Sequence, residues 1–157
     1  MRHNIYFGEF RGDFWPSADQ LNSFFFPPDG EKWIETGNDN WGIRLEGLAG
    51  TGSLPYARGR KDINLTMWGR PGLGVLLLYH KIGPPGFRDA YTSKGDMSRL
   101  KEIVWSLHDD PLPAGLFVPF PAAFLAVKEF MATEGQLPEC IEWVRNADLP
   151  DGTFPDP

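Results

Sequence analysis

The sequence predicts an α+β domain, in which a mainly antiparallel sheet carries two helices packed on one face. Three observations lead to this fold class. The length of 157 residues fits one domain. The 18 glycines and 15 prolines separate many short segments, which is typical of strands and turns. The segments follow one another as strand, helix, several strands, helix and strand. We expect the domain to cover residues 1–147, and the acidic, proline-containing tail at 148–157 to fray.

The first third of the chain is predicted to contain two strands around a short helix. Residues 5–10 are expected to form an edge strand. Ser17 is a candidate N-cap, and Gln20 three positions later completes a capping box. The adjacent Pro27 and Pro28 would end this helix. From residue 41 to residue 46 apolar and polar side chains alternate, which is the pattern of a half-buried strand.

The middle of the chain predicts a flexible loop and then a hairpin. Glycine-rich residues 47–53 form the expected loop. Apolar residues alternate over 63–67, a turn follows at 69–72, and residues 73–80 are almost continuously apolar. That second run predicts a strand in the centre of the sheet. A further turn leads into a segment at 87–93.

The last third contains the clearest helix, which has Pro121 in its first turn and Gly135 just past its end. Its apolar stripe consists of Phe120, Phe124, Val127 and Met131. Around this helix we expect strands at 103–107, 116–119 and 140–144, and a rigid polar loop at 108–113.

Composition and charge exclude several classes of protein. A net charge of −6 opposes binding to nucleic acid or to an anionic membrane. The longest apolar run, Val75–Tyr79, is far too short to span a bilayer. The N-terminus lacks the apolar stretch of a secretory signal, and one cysteine cannot form an internal disulfide. These features predict a cytoplasmic protein.

A nucleophilic or metal site is not indicated. Cys140 could act as a nucleophile with His80 or His108 as its base, but its apolar strand pattern predicts a buried packing role. The adjacent residues His108, Asp109 and Asp110 cannot all bind one ion, and no second cluster has metal-ligand spacing.

Cofactor binding and paired-acid catalysis are not indicated either. The glycine-rich segment 47–53 lacks the Gly-Lys-Ser/Thr ending of a phosphate loop. Glu139 and Glu142 would point to opposite faces of a strand. Arg58, Arg60 and Lys61 are too few for nucleic-acid binding. The sequence therefore predicts no catalytic residue, no metal and no cofactor.

Abundant aromatic and acidic residues without a catalytic site indicate a binding protein. Aromatic residues make up 14% of the chain. Most of the tryptophans Trp41, Trp68, Trp105 and Trp143 are expected to lie in the core. A different possibility is a module that binds a peptide or carbohydrate through exposed aromatic residues. A third is a hydrolase whose carboxylates come together from distant positions.

Several short motifs in the second half occur in an ordered series. They are Tyr91-Thr92-Ser93-Lys94-Gly95-Asp96, then Leu116–Pro119, the helix segment Val127–Thr133, Gly135–Pro138, and Ile141-Glu142-Trp143. This series, from about Ile63 to Trp143, resembles the type-1 family of immunity proteins from bacterial polymorphic toxin systems. The one departure is Thr-Glu-Gly at 133–135, where that family has Thr-Gly.

The resemblance implies a non-catalytic inhibitor that binds a cognate toxin domain and blocks its active site. Toxins paired with such proteins include nucleic-acid deaminases. We expect the interface to use polar turns at one end of the sheet, where acids would pair with toxin lysine or arginine and Tyr91 would be an aromatic anchor. The candidate partner-binding residues are Asp89, Tyr91, Lys94, Asp96, His108, Asp109 and Asp110.

Overall fold

The computed structural model of the protein describes residues 1–26 and 30–155. Within these residues, eight strands form one antiparallel sheet and two more form a small separate sheet. The strands are β1 (Arg2–Phe7), β2 (Phe10–Gly12), β3 (Asn40–Glu46), β4 (Asp62–Arg70), β5 (Gly74–Ile82), β6 (Asp89–Ser93), β7 (Ile103–Trp105), β8 (Pro111–Pro113), β9 (Phe117–Val118) and β10 (Trp143–Arg145). The large sheet has the order β10-β6-β5-β4-β3-β1-β2, and β9 pairs with the end of β5.

The two predicted helices are present, and both lie on one face of the large sheet. The α-helix α1 spans Phe120–Ala132, and a 3-10 helix spans Ala18–Phe24. The rings of Phe25 and Phe124 join them, with centroids 5.5 Å apart. Both contribute to the core that also contains the inward side chains of β1, β3, β4 and β5. The predicted α+β class is therefore confirmed.

The first helix begins as the sequence predicts. The Ser17 hydroxyl accepts a hydrogen bond from the Gln20 amide at 3.3 Å, and the Gln20 side chain accepts one from the Ser17 amide at 2.8 Å. This is the capping box. Seven residues of 3-10 geometry follow instead of an α-helix. The predicted stop at Pro27 and Pro28 lies outside the described residues.

The β4–β5 hairpin forms the centre of the sheet, as predicted. Its register runs from Asp62 opposite Ile82 to Arg70 opposite Gly74. β5 also pairs with β6 and β9. Val75, Leu77 and Tyr79 face the main core, and Leu76 on the other face packs in a smaller apolar cluster, so burial on both faces explains the almost continuous apolar sequence of β5.

The two faces of the large sheet are covered by other elements to different extents. Directly paired residues point to the same face, so Ile5, Ile43, Leu65 and Tyr79 form one buried row beneath α1. The opposite face, here called the open face, carries the rows listed next. They are Arg2, Glu46 and Asp62; then Asn4, Arg44, Asn64, His80 and Ala90; then Tyr6, Gly42, Thr66, Leu78 and Thr92. At one end a smaller apolar cluster of Leu76, Leu112, Leu116 and Phe117 covers it.

Two predicted strands differ from those observed. β1 is not an edge strand, because β2 pairs with it on the outer side through Ile5–Gly12 and Phe7–Phe10. The strand predicted at 103–107 ends at Trp105, and it pairs with β8 in a separate sheet. β8 falls inside the segment predicted as a polar loop. Its two prolines cannot donate to a ladder, which confines it to the edge of a small sheet.

The prediction that Cys140 packs in the core is wrong. Cys140 is exposed, and the last strand begins only at Trp143. The Glu139 amide donates to the Glu129 carboxylate on α1, and the Trp143 indole donates to the Pro138 carbonyl at 2.7 Å. These bonds turn the segment back along α1 and out of the sheet. Partial burial and the Glu129 carboxylate raise the pKa of the Cys140 thiol, which makes it a poor nucleophile.

The loop predicted to be flexible is held by a buried carboxylate at the start of β4. Asp62 accepts hydrogen bonds from the Gly47 amide at 2.9 Å and from the Tyr56 hydroxyl. The Arg60 guanidinium lies 3.2 Å from the same carboxylate. Burial alone would raise the pKa of Asp62, but these hydrogen bonds and the arginine together lower it. Asp62 therefore ties the first residue of this loop, Gly47, to the start of β4.

We expect Asp62→Asn to lower the free energy of unfolding by about 1–3 kcal/mol near neutral pH, because a buried charged acceptor is lost. A carboxyl with a lowered pKa stabilises the fold above its ordinary pKa, and this contribution disappears as the pH falls through the folded-state value. The difference in the free energy of unfolding between wild type and variant should become smaller below about pH 4. Urea unfolding across this range measures it, with the exposed Asp151→Asn as the control. A difference that stayed constant with pH would contradict this role.

Candidate functional site

The residues considered for catalysis do not form a reactive group. Within residues 1–26 and 30–155, no three His, Cys, Asp or Glu side chains lie close enough to hold a metal ion. His80 lies half-buried on the open face, where burial lowers its pKa. Cys140 follows Glu139, which bonds to Glu129 on α1, whereas His80 and His108 lie at the open face on the other side of the sheet. A nucleophile–base pair is therefore not assembled from them.

The first predicted binding group begins at Asp89, whose charge is already paired. Its carboxylate accepts a hydrogen bond from Arg145 Nε at 3.1 Å and another from the Tyr91 hydroxyl at 3.0 Å. Burial alone would raise the pKa of Asp89, but these bonds outweigh it and lower the pKa. Tyr91 is half-buried against Tyr79, with ring centroids 6.4 Å apart. This pair lies on the same face as α1.

The turn Ser93-Lys94-Gly95-Asp96 fastens the segment before α1 to the sheet. The buried Ser93 hydroxyl donates to the Leu116 carbonyl at 2.7 Å and accepts from the Leu77 amide at 2.9 Å. A Cβ at Gly95 would lie 2.2 Å from the Phe117 carbonyl oxygen, so glycine is required there. Asp96 caps the following 3-10 turn by accepting from Ser98. The motif has a structural role, and Lys94 and Asp96 are its exposed residues.

The second predicted group lies on a short, tightly bonded loop at 105–110. The buried Ser106 hydroxyl accepts from the amides of His108 at 3.2 Å and Asp110 at 2.9 Å. The Asp110 carboxylate accepts from Ser106 Oγ at 3.1 Å and from Trp68 Nε1 at 3.4 Å. Asp109 has a left-handed backbone with φ of 64°. These bonds fix the loop in one conformation.

A buried carboxylate immediately before β3 supports the same loop. Asp39 accepts a hydrogen bond from the Leu107 amide at 2.9 Å. Arg70 donates to the Trp105 carbonyl at 3.0 Å. The loop is thus bonded to the sheet on both sides of Ser106. We name residues 105–110 the Trp105–Asp110 loop.

Two apolar residues of this loop project into solvent. Trp105 and Leu107 are each 51% exposed, whereas Trp41 is buried and Trp68 and Trp143 are partly buried. No local pattern marks Trp105 and Leu107 as surface residues, since an apolar residue at a strand position normally faces a core. Trp105 is the last residue of β7, and Leu107 lies in the turn that follows it.

The structure does not bring the two predicted groups together. Tyr91 points to the helix-covered face, whereas Asp110 contacts Trp68, which belongs to the opposite face. Beside the Trp105–Asp110 loop, the open face forms a groove of about 350 Å³. This open-face groove is lined by Tyr6, Asn38, Asn40, Trp41, Gly42, Arg44, Thr66, His108 and Asp110.

A family model described as Immunity protein Imm1 matches residues 49–145. The chain belongs to the Imm1 family of immunity proteins. The match begins before β4 and ends at the last residue of β10. It contains both the 91–96 turn and the Trp105–Asp110 loop, and it confirms the family resemblance noted in the sequence. No curated protein matches the chain.

Membership of the Imm1 family implies an immunity function and a toxin partner that is itself a protein. The match leaves β1, β2, β3 and the 3-10 helix Ala18–Phe24 outside it. In this Imm1 protein the three strands extend the sheet beyond β4, and residues of β1 and β3 line one side of the open-face groove. In the part of the chain that the structure describes, no helix has both the length and the hydropathy to cross a bilayer.

Proposed function

We propose that this Imm1 protein binds its cognate toxin domain in a one-to-one complex and neutralises it by covering the toxin's active site. The observation that carries the proposal is the Trp105–Asp110 loop, which presents two exposed apolar side chains beside acidic ones. Inhibition by this route needs no catalytic group and no cofactor, since the bound surface excludes the toxin's substrate.

The geometry of the loop favours tight binding. Interfaces gain most of their affinity from a few aromatic or apolar anchors, and ordering a mobile segment lowers the affinity. The bonds from Ser106 and Asp39 already fix the loop backbone in the free protein. Trp105 and Leu107 could therefore enter pockets of a partner with little loss of conformational entropy.

The net charge of the protein favours a basic partner. Residues 129–157 contain seven carboxylates and one arginine, so they carry all of the net charge of −6, while residues 1–128 are balanced. Phe154 and Pro155, near the end of this acidic segment, line the same crevice as Asp110. Asp109 is exposed on the loop itself. A negative field of this kind accelerates encounter with a basic surface.

A toxin that acts on nucleic acid, such as a deaminase, fits this charge. Its substrate groove must be cationic to bind phosphates, so an acidic protein surface can compete for it. In this proposal His108, Asp109 and Asp110 contact the toxin directly. Asp89, Tyr91, Lys94 and Asp96 would be further contacts outside the loop, and of these Lys94 and Asp96 are exposed.

Asp109→Asn tests the loop charge, and asparagine also tolerates the left-handed backbone. We expect the association rate with the toxin domain to fall several-fold at low salt and its salt dependence to weaken. Glu35→Gln, which removes an exposed carboxylate elsewhere, is the control. Stopped-flow association of both variants at two salt concentrations makes the comparison. Equal rates for Asp109→Asn and wild type would exclude this residue from the interface.

A second candidate function is the binding of a small peptide or carbohydrate through exposed aromatic residues. The observation in its favour is a mainly apolar crevice of about 280 Å³, which Trp68, Leu78 and Phe154 line. This function predicts a change in tryptophan fluorescence on adding oligosaccharides or short peptides, with no requirement for a protein partner.

A further inference from the structure

The charges at one end of the open face are paired with one another. Arg2 contacts the Glu46 carboxylate, and Arg60 lies 3.5 Å from the same group. Arg60 also pairs with Asp62. These contacts satisfy both arginines, so this end of the face offers a partner little unpaired charge.

Arg44 in the next row differs from them. It projects from the middle of β3 and is exposed, and no carboxylate lies within 4.0 Å of it among the described residues. Its direct neighbours across the sheet are Asn4 on β1 and Asn64 on β4. Farther along the row, burial lowers the pKa of His80, which keeps that imidazole neutral near pH 7. Arg44 is thus a cation among uncharged hydrogen-bonding side chains.

Arg44 also lines the open-face groove, next to the Trp105–Asp110 loop. Across the groove, His108 and Asp110 form the wall. Tyr6, which is 44% exposed, lies in the following row, with the Arg11 guanidinium 4.7 Å from its ring centre. The groove therefore combines an accessible guanidinium, an aromatic ring and amide groups on a rigid sheet.

We infer that Arg44 binds a carboxylate side chain of the toxin domain, on a toxin segment that lies in the open-face groove. This inference rests on the proposed function and adds the chemistry of one contact. A guanidinium can hold a carboxylate through two parallel hydrogen bonds, which an ammonium group cannot do. Its direct cross-strand neighbours, Asn4 and Asn64, are uncharged, which leaves its charge available for that bond.

This contact has the opposite polarity to that of the loop. The loop acids attract basic toxin groups, whereas Arg44 requires an acidic one. Two contacts of opposite sign, side by side, fix the orientation of the partner and exclude toxins with a different charge pattern. Arg44 would therefore determine which toxin is recognised.

Charge reversal of Arg44 tests the inference. We compare Arg44→Glu with Arg88→Glu, which alters the net charge equally at an exposed arginine outside the groove. The probe is the C-terminal domain of the protein encoded immediately upstream, and calorimetry measures the dissociation constant. We expect Arg44→Glu to raise it about 10- to 100-fold and Arg88→Glu to change it less than about threefold. Arg44→Lys, which keeps the charge, should show an intermediate loss.

The remaining outcomes separate this inference from the proposed function. Replacing one toxin carboxylate by lysine should restore the affinity of the toxin for the Arg44→Glu protein. The same toxin variant should not bind wild type more tightly. If wild type binds and the Arg44→Glu and Arg88→Glu proteins bind the toxin as tightly as each other, Arg44 has no partner carboxylate and the inference is overturned. If wild type itself does not bind, the proposed function fails, and the inference fails with it. Circular dichroism of each variant confirms that the fold is intact.

Discussion

Trp105→Ala should raise the dissociation constant of the toxin complex about 30- to 1,000-fold, which corresponds to a loss of about 2–4 kcal/mol. The side chain is 51% exposed in the free protein and has a rigid backbone on either side. Burying an indole in a partner's pocket removes a large apolar area from water, and tryptophan is among the strongest interface anchors. Calorimetric titration of the variant with the toxin domain measures the effect.

A matched control distinguishes the loss of an interface contact from the general effect of removing an exposed apolar side chain. Leu125 on α1 is 55% exposed, close to the 51% of Leu107 on the loop. Leu107→Ala should weaken binding, whereas Leu125→Ala should leave it unchanged. Neither substitution removes a core contact, so thermal unfolding should change little. Equal affinities for the Trp105→Ala protein and wild type would place the interface elsewhere.

Trp33→Ala should lower the free energy of unfolding by about 3–5 kcal/mol, the largest stability loss we expect. Trp33 is fully buried, and its indole donates to the Asp39 carbonyl at 2.7 Å. Its ring packs against those of Phe7 and Phe25, with centroids 5.1 and 5.3 Å away. Since domains of this size are stable by only about 5–15 kcal/mol, the variant would approach unfolding.

Urea unfolding followed by circular dichroism measures this loss, with Trp105→Ala as the control. The two tryptophans should behave in opposite ways: Trp33→Ala affects stability, and Trp105→Ala affects binding. A Trp33→Ala protein with the unfolding midpoint of wild type would contradict the assignment of this residue to the core. A Trp105→Ala protein with a much lower midpoint would show that its side chain has a structural role.

The elements that could be predicted from the sequence are those whose signals are local. The capping box at Ser17 and Gln20, the alternation over 63–67 and the proline at the start of α1 each depend on residues a few positions apart. Such local patterns are fixed by helix and strand geometry. All three appear in the structure where they were expected.

The predictions that failed depend on distant contacts. Cys140 has an apolar strand pattern, but the Glu129 carboxylate on α1 holds its segment outside the sheet. The segment 47–53 is rich in glycine, yet Asp62 ties it down through the Gly47 amide. The fraying expected at 148–157 stays a prediction, although Leu149 packs against the smaller cluster and Thr153 is buried. No local pattern contains these contacts.

The candidate site was predictable only in part. The adjacent polar residues His108, Asp109 and Asp110 predict a polar loop from the sequence alone. The structure shows how Ser106 holds this loop. The exposure of Trp105 could not be seen, because an apolar residue at a strand position normally faces a core. The role of Ser93 and Gly95 in fastening the Leu116 region likewise requires the tertiary fold.

In the proposed function, this Imm1 protein inhibits a toxin by direct one-to-one binding. The most direct measurement is a calorimetric titration with the C-terminal domain of the protein encoded immediately upstream, followed by an assay of that domain's activity at the same molar ratios. We predict one binding site with a nanomolar or tighter dissociation constant, about −12 kcal/mol or better, and complete inhibition at equimolar protein. Absence of heat, or binding that leaves the toxin active at saturation, would contradict the claim.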